Sequence, residues 1–335
     1  MAAAPGEVGM RRTSFASPPS RGPRGLAFVG GLSVIFGLCW WLWPQDDPGL
    51  SVRAVPDAQE KPRPEPKPAK IKPKPKPKRG TSKPKPATDD PKAFTRRKLA
   101  ALRKGGDADA LRRSLSKLAL HPRTGSKERD AWLKEADKLN DRLVWSATPG
   151  PGFTITKIQP GDSYWKIARR VSRERDVNVT DGMLEAINKV RPSGLRLGKP
   201  LKVPTEVVSL LVDKSSFELY VLLGGVYAKR FSIGIGRDSS TPEGAFTVRG
   251  KAAKPQWTDP KTGKRYKYGA EGHLVGSRWL GLYKDGGPTG YGVHGTIDPE
   301  TIGQAVSDGC IRLTNPDVEF LYGLVPEGAA VVVRR

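Results

Sequence analysis

The sequence predicts a multidomain chain ending in a mainly β domain, preceded by a small β-α-α-β module, a short helical region and a single N-terminal transmembrane helix. Three observations carry this. The 335 residues are too many for one core and fit two or three domains at roughly 100 to 200 residues each. The charge is segregated: of 58 Lys plus Arg and 34 Asp plus Glu, residues 206–335 hold 16 and 14, so nearly all of the +24 excess lies in residues 1–205. The hydrophobic pattern also changes period along the chain, from one apolar run to helical spacing and then to short β-branched strands.

Residues 1–24 are expected to be a cytoplasmic N-terminus and residues 25–43 a membrane anchor. Gly25 to Trp43 is nineteen residues without a charge, which at about 1.5 Å per residue comes close to a hydrocarbon core of ~30 Å and can just span it. Arg11, Arg12, Arg21 and Arg24 precede the run, and Asp46 and Asp47 follow it. The positive-inside rule then puts everything after Trp43 outside, which is periplasmic or extracytoplasmic. The run ends in tryptophans and Pro44 rather than small residues, so the anchor is expected to stay uncleaved.

Residues 44–92 form a Pro/Lys-rich linker, with 11 prolines and 13 basic side chains in residues 51–92. That composition cannot bury a core and favours polyproline II, reaching on the order of 150 Å at ~3.1 Å per residue. The charge argues against a nucleic-acid enzyme, whose basic footprint belongs on the folded unit that reads or reacts. Here the last third is almost neutral, and no nucleic-acid partner is expected. Two cysteines, Cys39 and Cys310, and three histidines form no metal-ligand spacing. With Cys39 inside the span, Cys310 is the one thiol outside.

Residues 93–148 read as a small helical region. Gly105-Gly106 break the first helix, Asp107 caps the next with Leu111, Leu115 and Leu118 on one face, and His121-Pro122 ends it. Ser126 is expected to cap a third helix carrying Trp132, Ala136, Leu139 and Leu143. In residues 151–205, Gln159-Pro160-Gly161-Asp162 makes a turn, Ser163 caps a helix with Trp165, Ile167, Ala168 and Val171, and a second helix holds Met183, Leu184 and Ile187 before Asn188. A short strand through Leu201 and Val203 closes the unit. These residues resemble a LysM module, which implies binding of N-acetylglucosamine-containing glycan strands. Gly161, Asp162 and Asn188 are the candidate glycan contacts, with turn and cap duty as the alternative. The stretch SRERDVNVT (172–180) looks long for a connection between the two helices.

From Val207 onward VVSLLVD, SFELYVLL, VYAKRFSIGI and AFTVRG read as strands separated by turns, with no comparable helical pattern among them. A β-sandwich or open barrel is expected. Within it lie Thr241-Pro242-Glu243-Gly244-Ala245-Phe246, Gly290-Tyr291-Gly292-Val293-His294-Gly295-Thr296 and, later, Ser307-Asp308-Gly309-Cys310-Ile311-Arg312-Leu313. T-P-x-G-x-F, H-G-T and S-x-G-C-I-R-L in this order resemble the YkuD-type L,D-transpeptidase domain over residues 206–335.

The resemblance implies a cysteine acyltransferase that needs no cofactor or metal. Cys310 would be the nucleophile and His294 its base, held by a backbone carbonyl near Gly295. Acyl transfer by cysteine calls for such a thiol, imidazole and oxyanion donors. The Gly309 region would supply the oxyanion donors, and Ser307 would support or merely tie the loop. Arg312 would act on a substrate carboxylate or the site's field, or else sit in a structural ion pair. The implied substrates are peptidoglycan stem peptides, with the acyl group passing to an amine of a neighbouring stem. A non-catalytic wall-binding protein, an L,D-carboxypeptidase and a protein-to-wall attachment enzyme are the alternatives. Asp308 stands where many members carry histidine; facing inward, it would raise the thiol pKa. His273 is expected in a loop over the cleft.

Overall fold

The computed structural model describes residues 91–335. The apolar run Gly25 to Trp43 and the Pro/Lys-rich segment up to residue 90 lie outside the described residues. Among those described, no helix is long and apolar enough to cross a membrane.

Three helices come first: α1 (Pro91–Gly105), α2 (Ala108–Ala119) and α3 (Ser126–Leu143). Asp107 caps α2 by accepting from the Ala110 N–H, the short polar side chain answering one of the helix's orphan donors. Ser126 is not a cap; it opens α3, and Gly125 occupies the cap position without a side-chain bond. His121 lies beyond α2 and accepts from the Arg123 N–H. Leu99, Leu111, Leu115, Leu133 and Ala136 bury against Leu211, Tyr220 and Tyr227 of the large sheet.

The next unit is β1 (Phe153–Lys157), α4 (Tyr164–Arg175), α5 (Asp181–Asn188) and β2 (Pro200–Pro204), with β1 and β2 antiparallel. Ser163 caps α4 and Thr180 caps α5. Ile167, Ala168, Val171 and Leu184 fill its small core. Trp165 instead faces outward, 55% exposed, with the Arg169 guanidinium over its ring. The stretch 172–180 is shorter as a loop than its letters suggest. Its first four residues continue α4, which ends at a left-handed Asp176. Met183 and Ile187 point away from this unit into the core of the β domain, and the Thr180 hydroxyl donates to the Gly323 carbonyl at 2.5 Å. Lys202, 1% exposed, donates to the carbonyls of Leu143, Val144 and Ser146 at the end of α3. These bonds tie the module to both of its neighbours.

The remaining strands are β3 (Val208–Asp213), β4 (Glu218–Leu223), β5 (Val226–Ser232), β6 (Ile235–Gly236), β7 (Gly244–Ala253), β8 (Trp257–Thr258), β9 (Arg265–Tyr266), β10 (Val275–Lys284), β11 (Gly287–Thr296), β12 (Ala305–Ser307), β13 (Ile311–Leu313) and, after helix α6 (Asn315–Leu324), β14 (Ala330–Arg334). Eight of them form one sheet in the order β13-β11-β10-β7-β14-β3-β4-β5. The chain just past β5 bridges β13 through the Gly234–Arg312 pair, whose two backbone bonds measure 2.9 and 2.8 Å. The two ends of the sheet therefore meet at this bridge.

A core of Val, Leu, Ile and Phe from these strands packs against Val318, Leu321 and Leu324 of α6. This helix is a feature the strand pattern hides. Its signal is local: Thr314 accepts from the Asp317 N–H and its hydroxyl donates back to the Asp317 carboxylate, with proline in the first turn.

Candidate active site

The site is assembled where β10, β11 and β13 run side by side. Register places Trp279 opposite His294 and His294 opposite Arg312, so the three form a row across three strands. Cys310 immediately precedes β13, two residues before Arg312. Strand alternation brings the thiol to the same face as Arg312 and His294, while Val293 and Ile311 point into the core. Cys310, His294 and Arg312 line one cavity of ≈ 220 Å³, walled further by Trp257, Trp279 and Tyr291.

His294 is 5% exposed, and its Nδ1 lies 2.6 Å from the Gly295 carbonyl. A carbonyl only accepts, so Nδ1 carries the proton and Nε2 is left with the lone pair. Burial lowers the His294 pKa to about 4, with Arg312 and His273 pushing the same way and the Gly295 carbonyl opposing. Burial likewise pushes the Cys310 thiol up to about 11, although a backbone bond from Gly292 and the charge of Arg312 both draw it down. At neutral pH the free site therefore holds a neutral thiol beside a neutral imidazole. Cys310 is a free thiol.

The turn that presents Cys310 is pinned from below. Ser307, buried, donates to the Cys310 carbonyl at 2.7 Å and accepts from the Gly309 N–H at 3.2 Å. Thr241 of the T-P-x-G-x-F motif donates to the Gly309 carbonyl at 2.9 Å and accepts from the Gly236 N–H at 2.7 Å. Gly309 sits at φ +126°, and a Cβ there would run into the Tyr291 ring, so only glycine fits.

Within the Gly309 region, the Gly309 amide itself is taken by Ser307. Ser307 ties the loop. Arg312 has no ion pair among the described residues, and its Nε is buried without a partner. It is an uncompensated cation on the cavity wall, not half of a structural pair.

Asp308 turns toward solvent. Its carboxylate meets Arg237 at 2.8 Å and Lys261 at 3.3 Å, and it raises the thiol only as the smallest of the contributions. Lys261 belongs to the turn between β8 and β9, whose Trp257 and Pro260 form the outer wall. His273 lies beneath this hairpin. It is buried, with Nε2 2.9 Å from the Pro255 carbonyl and edge-on to Trp257 and Tyr268, and it does not line the cavity.

The three candidate glycan contacts are occupied by structural duties. Asn188 is buried; its amide donates to the Leu184 and Lys202 carbonyls and its oxygen accepts from the Lys202 N–H. Asp162 accepts from the Gln159 N–H and pairs bidentately with Arg170. Gly161 makes the left-handed turn position at φ +72°, with its carbonyl taken by Lys166. The Asn188 amide and the Asp162 carboxylate are thus engaged within the module, which is the turn and cap duty given as the alternative. Residues absent from the motif stretches but present at the site are Trp257, Lys261 and Trp279. The β8–β9 hairpin supplies the first two and β10 the third, and strand pairing rather than a local pattern brings them together.

Comparison with known proteins covers both folded units. The L,D-transpeptidase catalytic domain matches residues 208–333 and the LysM domain residues 156–204. YqjB of Bacillus subtilis, assigned by name to the L,D-transpeptidases, is 35% identical over 126 residues, which is 37% of this chain and 69% of that protein. YkuD of the same organism, with the same assignment, is 28% identical over 186 residues, covering 53% of this chain and 98% of its own. Among solved structures, the catalytic domain from the E. faecium L,D-transpeptidase has a TM-score of 0.31 at 25% identity, covering 38% of this chain and 98% of that one. L,D-transpeptidase 3 from Mycobacterium tuberculosis has a TM-score of 0.32 at 21% identity, covering 41% of this chain and 64% of that one.

Proposed function

The chain belongs to the L,D-transpeptidase family of acyltransferases, and on that premise we propose that Cys310 and His294 carry out the acyl transfer on peptidoglycan stem peptides. The observation that carries this reading is the single cavity into which thiol, imidazole and unpaired guanidinium all open.

The donor is a tetrapeptide stem. The His294 Nε2 lone pair takes the Cys310 proton as sulfur adds to the carbonyl of the third, diamino residue. The carbon–nitrogen bond to the terminal D-alanine breaks, and His294 returns its proton to the leaving amine. A thioester to Cys310 remains. The side-chain amine of a neighbouring stem then attacks it, gives a proton to Nε2 and forms the new amide, and sulfur leaves to be reprotonated.

Moving a proton from thiol to imidazole creates two charges in a buried place. Arg312 beside the sulfur offsets the negative one and, with the Gly309 amide already engaged, is the cation available to the developing oxyanion. The LysM domain contributes affinity for glycan strands through surfaces other than Asn188 and Asp162. The run Gly25 to Trp43 anchors the chain in the cytoplasmic membrane, N-terminus inside, and the proline-lysine spacer lets the folded part reach the wall. The arginines before the run and the aspartates after it support this.

The test is incubation of the full chain with disaccharide tetrapeptides, with and without an added acceptor amine. Mass spectrometry would follow D-alanine release, dimer formation and an adduct on Cys310. Release and cross-linking that vanish in Cys310→Ala are expected. Release to water alone would make the protein a carboxypeptidase, and turnover surviving in Cys310→Ala would remove the mechanism.

A further inference from the structure

The row that holds His294 between two strands has a member that neither the chemistry above nor the sequence motifs use. Trp279 lies directly across the β10–β11 ladder from His294, 6% exposed. Its ring is stacked on the imidazole with centroids 5.6 Å apart and planes 17° apart. The stack has a dedicated slot, because a Cβ on Gly292 would come within 2.5 Å of the indole's six-membered ring. Glycine at 292 lets the indole lie flat beneath the histidine while leaving its own backbone next to Cys310.

We propose that Trp279 is the positioning residue of the general base: it fixes the plane of the His294 ring and favours its imidazolium form during proton transfer from Cys310. This rests on the reading of His294 and Cys310 given above.

Two physical reasons support the assignment. The Nδ1 contact with the Gly295 carbonyl anchors one atom of the ring and leaves a swing about it. A flat partner on the ring face removes that swing, so Nε2 stays aimed into the cavity. The face of an indole is also electron-rich and attracts a cation more than a neutral ring, most strongly where water is excluded. The groups that face His294 otherwise are poor hosts for a positive charge. Arg312 on β13 and His273 under the hairpin both oppose it, and Cys310 helps only once it has lost its proton. Apart from the Gly295 carbonyl, the indole face is what favours the imidazolium before the thiolate exists.

The experiment compares the full chain with Trp279→Leu, Trp279→Phe and Cys310→Ala, measuring kcat and KM for D-alanine release and the rate of Cys310 alkylation by iodoacetamide at about pH 8. For Trp279→Leu, kcat and alkylation are both expected to fall by roughly ten- to thirtyfold, the size of a desolvated cation–aromatic contact. Trp279→Phe keeps an aromatic face and should recover most of both. Alkylation needs no substrate, so it separates an effect on the thiol–imidazole pair from one on the cleft wall. If Trp279→Leu changes KM alone and Cys310 alkylates at the wild-type rate, the indole is only a wall and the proposal is overturned. Identical behaviour of the leucine and phenylalanine variants would overturn it as well. If Trp279→Leu does not fold, the phenylalanine variant decides by itself, since near-wild-type alkylation supports the proposal and a loss as large as that expected for leucine overturns it. Retained turnover in Cys310→Ala would instead sink the underlying mechanism.

Discussion

Replacing Thr241 by valine tests how the nucleophile is held. The side chain is 1% exposed, and its hydroxyl joins two backbone groups across the turn: it accepts from the Gly236 N–H and donates to the Gly309 carbonyl. Valine has nearly the same shape, so packing survives while one buried donor and one buried acceptor lose this partner. Each orphaned group costs about 1 to 3 kcal/mol, which puts the loss near 2 to 4 kcal/mol after partial relaxation. The damage also reaches the chemistry, because Gly309 is the residue before Cys310. Freeing its carbonyl loosens the turn that aims the sulfur, and misplacement by about 1 Å is worth up to ~100-fold in rate. We expect kcat for D-alanine release to fall roughly ten- to a hundredfold in Thr241→Val, with a lower urea midpoint at unchanged slope. Thr241→Ser keeps both bonds and should lose only about 1 kcal/mol for the missing methyl, with kcat near wild type. A valine variant that matches wild type in midpoint and turnover would refute the argument, as would a serine variant that fails as badly as valine.

Other perturbations have equally definite outcomes. With His294 lowered to about 4 and Cys310 pushed up to about 11 by burial, iodoacetamide should alkylate Cys310 slowly near neutrality, through the small fraction in which the thiol proton has passed to His294, and markedly faster as the pH nears the thiol's value; a steep rise at about pH 6 to 7 would contradict a neutral resting pair. Between the ordinary histidine value of 6.5 and about 4 the unfolded chain binds a proton at His294 that the folded chain does not, so stability should fall as pH drops through that window in urea titrations, and the slope should shrink in His294→Gln. Asp308→His removes a carboxylate that raises the thiol and should move the rate-versus-pH profile modestly to lower pH; an unchanged profile would mean Asp308 acts only through its exposed pairs with Arg237 and Lys261, worth under about 1 kcal/mol each. Asn188→Ala should lower stability by about 2 to 3 kcal/mol through three lost buried bonds, while glycan affinity measured on the folded variant stays within about threefold of wild type.

The parts of the molecule that could be read in advance are those specified by neighbouring residues. Asp107 and Ser163 cap the helices they precede because a short polar side chain reaches an amide three residues on, which is a property of local spacing. The β-branched and aromatic richness of β3, β4 and β5 marks them as strands in the same way, and both of their faces are covered. Where a side chain had two options, the sequence left both open. Asn188 and Arg312 are both polar residues in recognised motifs, yet the first closes a buried turn and the second stands unpaired beside the thiol. Helix α6 was hidden because Val318, Leu321 and Leu324 sit among other apolar residues, in a segment as hydrophobic as the strands around it.

By itself, then, the order of residues determined the chemistry: one thiol and one histidine in two short glycine-flanked motifs, with strands to carry them. What only the folded chain decided is register. Lys284 pairs with Gly287 and Tyr283 with Pro288, a ladder that if continued would put Trp279 opposite Gly292. A bulge between Gly281 and Tyr283 shifts the pairing so that Trp279 meets His294 instead, and the indole comes to rest under the imidazole with Gly292 making room. Bulges depend on how a strand must bend to pack against its neighbours, and that balance is struck between residues far apart in the chain.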